Sequence, residues 1–118
     1  MRVAVRWPWR GALLLLFGML IAIRSFAAPS WDGTWAGGWE KGDGIQIVVA
    51  GNKVIGVYRE GDYPEILSSA VSPEGRMLTV SWVGGDALLQ RASERDPEAT
   101  ISLREHGRPV RTFIVKRE

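Results

Sequence analysis

The feature that most restricts the fold of this chain is the alternation of apolar and polar residues in short segments, which turn signals separate from residue 30 onwards. Alternation with period two is typical of β-strands that bury one face, and helical periodicity in this part of the chain is never longer than two turns. Counting the glycine-rich segment 31–39, the sequence predicts about eight strands, and every connection except 92–97 is short. Because short connections favour antiparallel pairing of successive strands, we expect an all-β meander that forms a small barrel or a flattened sandwich.

The clearest predicted unit is a hairpin over residues 45–58, with Gly51-Asn52 as its two-residue turn. Glycine accepts the positive φ that such turns require. A register centred on this turn places Tyr58 on the same face as the buried aliphatic residues. The pairs that it predicts are Val49 with Val54, Ile47 with Gly56, and Ile45 with Tyr58.

The outer face of this hairpin is apolar as well, because it carries Val48, Ile55 and Val57. Monomeric proteins usually avoid an apolar patch of this kind in water. Either a second layer of the fold or another chain is therefore expected to cover it. We interpret these three residues as a candidate interface for a homodimer or a protein partner.

Residues 1–27 have the organisation of a secretory signal peptide. Three arginines and no acidic residue precede an uncharged apolar run over residues 11–23, and the small residues Ser25 and Ala27 suit cleavage after Ala27. As a helix the run would extend about 20 Å, less than the ~30 Å hydrocarbon core of a bilayer. We expect an exported protein, periplasmic or extracellular, whose one all-β domain covers residues 28–118. A membrane-attached form is expected only if the segment is not cleaved.

Export changes the charge of the chain. The full sequence has a net charge of +2, but four arginines lie in the first 27 residues, so the rest carries 11 basic and 13 acidic residues and a net charge of −2. The chain therefore lacks the basic surplus that nucleic-acid binding requires. With no cysteine and one histidine, it also lacks the usual ligands of zinc sites and the thiol of cysteine enzymes. We expect neither a cofactor nor a metal site.

Three tryptophans spaced four residues apart, Trp31, Trp35 and Trp39, are the most distinctive motif. In an extended strand this spacing places all three on one face, although a bulge at Gly37-Gly38 would turn Trp39 away. One interpretation is that Trp31 and Trp35 plug the core. Another is that the tryptophans form, with Trp82, an aromatic platform that stacks on sugar rings or on a partner protein. The third is a mixed arrangement in which Trp39 is exposed and the other two are buried.

Gly33-Thr34-Trp35 opens the strand meander and is followed by Ile45-Gln46-Ile47 and the strand 54–58. This arrangement resembles the beginning of calycin-type barrels such as lipocalins, avidins and bacterial metalloprotease inhibitors. In those families the tryptophan of the Gly-x-Trp motif plugs the closed end of the barrel. The resemblance therefore implies a structural role for Trp35, and it carries over no ligand-contacting residue. The predicted strands are shorter than those of most ligand-holding barrels.

Other polar candidates lie in predicted turns. His106 stands beside Glu105, and Asp43, Asp62 and Asp86 each follow a glycine, which is ordinary turn chemistry. If the aspartates gathered at one end of a barrel they would suit Ca²⁺, and a pair such as Asp62 and Asp86 in a cleft would suit a small hydrolase.

We interpret the chain as an exported, non-enzymatic β-domain that binds a protein partner or another ligand. The alternatives are a carbohydrate-binding module with exposed tryptophans and, from a different class, the small hydrolase.

Overall fold

The computed structural model describes residues 30–118, which form a nearly closed barrel of eight antiparallel strands. The predicted signal peptide, residues 1–27, lies outside the described residues. Residues 30–118 contain no helix long and apolar enough to cross a membrane. The predicted all-β meander is confirmed, in its barrel form. The strands are β1 (Gly33–Gly37), β2 (Ile45–Ala50), β3 (Lys53–Arg59), β4 (Ile66–Val71), β5 (Met77–Trp82), β6 (Gly85–Gln90), β7 (Glu98–Glu105) and β8 (Arg111–Arg117).

The barrel is formed by pairing of its first and last strands. β1 pairs with β8 through Trp35 opposite Arg117, which joins the β1–β2–β3 unit to the β4–β8 meander. The open seam lies between β3 and β4, which pack side by side without a ladder of backbone hydrogen bonds. Across it the Val54 N–H donates to Ser69 Oγ at 3.1 Å. Apart from this seam, strands adjacent in sequence are adjacent in the sheet, as short connections predict.

Alternating side chains of the strands fill the interior with a single apolar core, to which β4 contributes the partly buried Ile66 and Val71. Burial of these side chains removes apolar surface from water and is the main stabilising contribution in a domain without disulfides. The largest fully buried side chains are Trp31, Trp35, Ile45, Ile47, Leu78, Leu89, Ile101 and Leu103.

A β-bulge in β3 corrects the predicted hairpin register. The turn forms as expected, with positive φ at Gly51 and Asn52, and Val49 pairs with Val54. Beyond that pair the register shifts by one residue, because Ile55 is the extra residue of a bulge. The shift reverses the faces of the rest of β3. Val57, predicted to point outwards, lies in the core with 1% of its surface exposed, and Tyr58, predicted to point inwards, lies on the outer face.

At one end of the barrel, side-chain hydrogen bonds tie the chain before β1 to the β2–β3 turn. The Asp32 carboxylate accepts hydrogen bonds from the N–H groups of Asn52 and Gly51 at 2.8 and 3.0 Å, and these bonds lower the pKa of Asp32. In the other direction, Asn52 Oδ1 accepts a hydrogen bond from the Trp31 N–H at 2.8 Å. This reciprocal arrangement fixes the position at which Trp31 enters the barrel.

The same end is closed by aromatic rings under a guanidinium. The centroids of Trp31 and Trp35 are 4.8 Å apart, and the guanidinium of Arg91 lies 4.1 Å from the Trp31 centroid. Arg91 is buried and donates to backbone carbonyl oxygens, including that of Ser30 at 2.9 Å. Burial and the nearby Arg117 lower the pKa of Arg91. We call this region the tryptophan end.

The opposite end is closed by ion pairs. Arg59, itself buried, donates from Nε and Nη2 to the two carboxylate oxygens of Glu105 at 2.7 and 2.8 Å. Arg111 also donates to Glu105, and its Nε lies 2.9 Å from Asp43 Oδ1. These four residues, together with the loops that they connect, are called the ion-pair end.

Candidate binding surface

The tryptophans predicted to bind ligand separate into two environments. Trp31, Trp35 and Trp82 line the core, where they are at most 3% exposed, whereas Trp39 exposes 51% of its surface. The first three therefore pack against the core cluster and present no ring to an external ligand. Of the four, Trp39 is the one that a ligand can reach from solvent.

Trp39 leaves the line of the other tryptophans because the backbone changes direction at Gly38. This glycine has a φ of 81°, a left-handed conformation that favours glycine, and a 3₁₀ turn over Trp39–Lys41 follows it. The Asp43 N–H closes the loop by donating to the Gly38 carbonyl oxygen at 2.9 Å. The predicted turning point is therefore present, although a left-handed residue and a 3₁₀ turn produce it in place of a simple bulge.

Trp39 belongs to a row of three aromatic side chains on the outside of the barrel, which we call the aromatic strip. The ring centroids of Trp39 and Tyr58 are 6.3 Å apart, and those of Tyr58 and Tyr63 are 5.0 Å apart. Tyr63, in the β3–β4 loop, is 75% exposed, and Tyr58 is half-buried between its neighbours. The strip thus runs along the ion-pair end, with its two terminal rings most exposed to water.

The Trp39 ring is supported from below by the backbone of Gly44. A Cβ at Gly44 would overlap the six-membered ring of Trp39, so this close packing requires a glycine. Gly44 is buried, and the ring that covers it remains half exposed on its other side. The indole is therefore held against the barrel while it still presents surface to solvent.

Arg59 connects the ion-pair end to the aromatic strip. Its Nη1 donates to the carbonyl oxygen of Gly44 at 3.1 Å, and its Nη2 lies 3.5 Å from Asp43 Oδ1. The hydrogen bond to Glu105 raises the pKa of Arg59, and the same bond lowers the pKa of Glu105. A fixed, permanently charged guanidinium thus holds the loop on which Trp39 rests.

Polar groups around the strip are free to bind a ligand. Among the described residues, no hydrogen bond uses the indole N–H of Trp39 or the hydroxyl groups of Tyr58 and Tyr63. Gln46 lies directly across the β2–β3 pairing from Tyr58, on the same outer face. The strip therefore combines apolar ring surface with donors and acceptors at its edges, which is typical of ligand-binding surfaces.

The three residues of the predicted interface also lie in different environments. Val48 and Ile55 lie on the outer face of β2 and β3, where Ile55 is 63% exposed, whereas Val57 is buried. The face that holds Val48 also holds Tyr58, so the remaining interface residues adjoin the aromatic strip.

The predicted turn carboxylates do not meet. Asp43 belongs to the ion-pair end, Asp86 accepts two hydrogen bonds from Arg104 at 3.1 and 3.0 Å, and Asp62 lies in the β3–β4 loop. Within residues 30–118 there is no group of three or more acidic or histidine side chains placed to hold a metal ion. His106 is exposed in the β7–β8 turn.

A second surface feature is a shallow groove of about 440 Å³ on the outer face of β5–β7. Leu88, Val110 and the Arg104–Asp86 ion pair are among the residues that line it. It has no aromatic side chain in its lining, and its charges are paired, so it has less to offer a ligand than the aromatic strip does.

The sequence did not indicate that Tyr58, Tyr63 and Arg59 belong to one site, although the acidic loop 60–65 with Tyr63 is a plausible contact point on sequence grounds. The predicted register lacks the bulge and therefore places Tyr58 on the wrong face. Tyr63 is an isolated aromatic residue in an acidic loop. The signal that could have indicated the site is local: the glycines at 38, 42 and 44 surround Trp39, and glycine next to a large ring is typical of a ring that lies on bare backbone.

Comparison of the chain with protein-family models, curated proteins and solved structures found no match.

Proposed function

We propose that this chain is an exported, non-enzymatic β-domain that binds its ligand on the outside of the barrel, at the aromatic strip. The observation that carries the proposal is the set of three adjacent aromatic rings, of which Trp39 and Tyr63 are at least half exposed. Exposed clusters of large aromatic side chains cost solubility, and tryptophan and tyrosine are enriched where proteins bind partners.

The filled interior favours an external site. Calycin-type barrels that hold ligands inside need open space there, but the tryptophan end of this barrel is filled by Trp31 and Trp35. A relationship to those families would be the finer form of the proposal, and it is supported by the eight-strand meander and by the burial of Trp35 of the Gly33-Thr34-Trp35 motif.

The charged groups favour binding over catalysis. Asp86, one acid of the alternative hydrolase, is bound to Arg104, and Glu105 is bound to Arg59 and Arg111. A hydrolase of this type needs two carboxylates that face one substrate in a cleft. The ion pairs instead stabilise the loops on which the aromatic strip lies.

The proposal is tested by retention of the exported protein on the envelope fraction of the organism that makes it. Wild type is expected to sediment with that fraction, and Trp39→Ala is expected to lose about tenfold or more of its affinity, because the terminal ring of the strip is gone. Met77→Ala is the matched control, since Met77 is also an exposed apolar residue but lies next to the Ser72–Gly75 turn at the other end of the barrel. Equal retention of all three proteins would contradict the proposal.

A second candidate is self-association through the face that carries Val48 and Ile55. The supporting observation is the bulge, which presents Ile55 to solvent on a strand at the barrel seam. Ile55→Lys is then expected to convert a dimer to a monomer, as measured by light scattering. An unchanged mass with an intact fold would exclude this candidate.

A further inference from the structure

We infer that the ligand of the aromatic strip is a neutral polysaccharide, bound as an extended chain of uncharged pyranose units. The inference rests on the proposed function, because it names the chemistry of the ligand that this surface takes. It is carried by the support of Trp39, the row of rings, the unused polar groups and the charge around them.

The support of Trp39 favours stacking on a sugar ring. The face of an aromatic ring is electron-rich and attracts the weakly positive C–H groups that a pyranose presents on its flat side. The Trp39 ring is held against the backbone of Gly44, whose position Arg59 fixes with its bond to the Gly44 carbonyl oxygen. Because the ring is already ordered, little conformational entropy is lost when a sugar binds.

The spacing of the rings favours a chain over a single sugar. The centroid separations of 6.3 and 5.0 Å place three rings in succession, and neighbouring rings are tilted by 38° and 58°. A polysaccharide presents successive rings that are rotated against one another, so it can contact the strip at more than one point. A monosaccharide would contact only one ring and bind more weakly.

The polar groups match sugar hydroxyls. In the described part of the chain the Trp39 indole N–H and the two tyrosine hydroxyls make no hydrogen bond, and the Gln46 amide makes none either. An N–H donates, a hydroxyl donates or accepts, and a primary amide does both. Hydroxyl groups of a sugar have the same mixed character, so these groups can satisfy them without any ionic partner.

The charge around the strip excludes acidic polymers. Glu40, Asp62 and Glu65 are exposed near the terminal rings and make no ion pair within residues 30–118. The arginines of this end, Arg59, Arg108 and Arg111, are paired with carboxylates, and Lys41 is the neighbouring base without an ion pair in the described part of the chain. This surplus of negative charge repels uronic-acid, sulfated or phosphorylated chains. Binding of an uncharged polysaccharide is not opposed by this repulsion.

The inference is tested by affinity electrophoresis of the exported protein in native gels that contain soluble polysaccharides. The neutral probes are hydroxyethyl cellulose, laminarin, arabinoxylan and glycol chitosan blocked by N-acetylation, and the acidic probes are polygalacturonate and alginate. At least one neutral polymer is expected to retard wild type and Met77→Ala. Trp39→Ala and Tyr63→Ala are expected to bind that polymer about tenfold more weakly, and circular dichroism shows whether they fold. Trp39→Phe, which retains a ring, is expected to bind with intermediate affinity.

Retardation by the acidic polymers alone, retardation of Trp39→Ala equal to that of wild type, or retardation by no polymer would each overturn the inference. These results are distinguishable from failure of the proposed function. If envelope retention depends on Trp39 but no polysaccharide binds, the site is real and its ligand is of another class, such as a protein. If envelope retention is also independent of Trp39, both proposals are wrong.

Discussion

The two ends of the barrel are closed by different chemistry. At the tryptophan end, two indole rings pack under Arg91, whose N–H groups bind backbone carbonyl oxygens. At the ion-pair end, Arg59 binds the carboxylate of Glu105 through two hydrogen bonds. Both ends thus use a buried arginine, but one arginine covers an aromatic plug and the other joins a network of charges.

The difference explains why the aromatic strip lies at the ion-pair end. In the described part of the chain, apolar packing at the tryptophan end buries the rings of Trp31 and Trp35, where they stabilise the fold. The ion-pair end needs loops that carry Asp43 and the neighbouring glycines, and the same loops bring Trp39 to the surface. The tryptophan end thus buries its indole rings, and the ion-pair end combines closure with a candidate binding surface.

The largest effect is expected from Trp35→Ala, which removes half of the aromatic plug. Loss of a buried indole typically costs about 3–5 kcal/mol of unfolding free energy, because it leaves a cavity. Urea unfolding of this variant is expected to show a loss greater than that of any single substitution at the ion-pair end. Trp35→Phe is the graded variant, and its loss is expected to be smaller. A Trp35→Ala protein as stable as wild type would mean that the plug does not close this end.

Glu105→Gln is expected to have the next largest effect, because it leaves Arg59 and Arg111 with a neutral partner. Removal of one member of a buried ion pair costs about 3 kcal/mol, whereas an exposed pair is worth at most about 1 kcal/mol. Glu98→Gln is the matched control, since Glu98 forms an exposed pair with Lys116 at 3.6 Å. Chemical denaturation should separate the two variants clearly, and equal losses would show that the cluster does not stabilise the barrel.

The pH dependence of stability also distinguishes how the two ends of the barrel are closed, because Glu105 of the ion-pair end is titratable. The hydrogen bond from Arg59 lowers the pKa of Glu105 below its ordinary value of 4.5, so the unfolded state binds more protons than the folded state in acid. The stabilisation by Glu105 is therefore complete above that ordinary value and is lost as the pH falls through the lowered folded-state pKa. In acid titrations followed by circular dichroism, Glu105→Gln should show a shallower loss of stability than wild type. Identical slopes would contradict the assignment.

The smallest effect on stability is expected from Trp39→Ala. The ring is half exposed and its removal opens no internal cavity, so we expect a loss of about 1 kcal/mol, below the losses at Trp35 and Glu105. Thermal unfolding of the variant should thus remain close to that of wild type, although the proposed binding is expected to be about tenfold weaker. A strong destabilisation would instead show that Trp39 contributes to the fold in the way that Trp35 does.

Much of this fold could be predicted from the sequence, because strand alternation and turn residues are local signals. The Gly51-Asn52 turn and the strand that follows residue 98 depend on a few neighbouring residues, and both form as expected. The bulge at Ile55 could not be predicted, since β3 is apolar on both faces and its pattern favours neither register. Because this one extra residue is not recognisable in the sequence, Val57 and Tyr58 are each predicted on the opposite face of the sheet.

The candidate site was harder to predict, because it depends on contacts between distant parts of the chain. Arg59 follows an apolar strand and would ordinarily be assigned to solvent, and its partner Glu105 is 46 residues further along. Nothing local in the sequence indicates that the two meet, or that Arg59 then reaches Gly44 beneath Trp39. Sequence spacing places the three tryptophans on one face unless the chain turns at Gly37-Gly38, and the left-handed Gly38 is what separates Trp39 from the other two.

The most direct test of the outward-facing strip is acrylamide quenching of tryptophan emission in the purified protein, with and without the neutral polysaccharide that we propose as its ligand. The difference between wild type and Trp39→Phe isolates the emission of Trp39 from that of the buried indoles. Because Trp39 is half exposed, we expect this difference spectrum to be red-shifted and quenched by acrylamide. The proposed binding adds the expectation that the polysaccharide protects it from quenching. A blue-shifted, unquenched difference spectrum, or one that the polysaccharide leaves unchanged, would contradict the assignment of Trp39 to a binding surface.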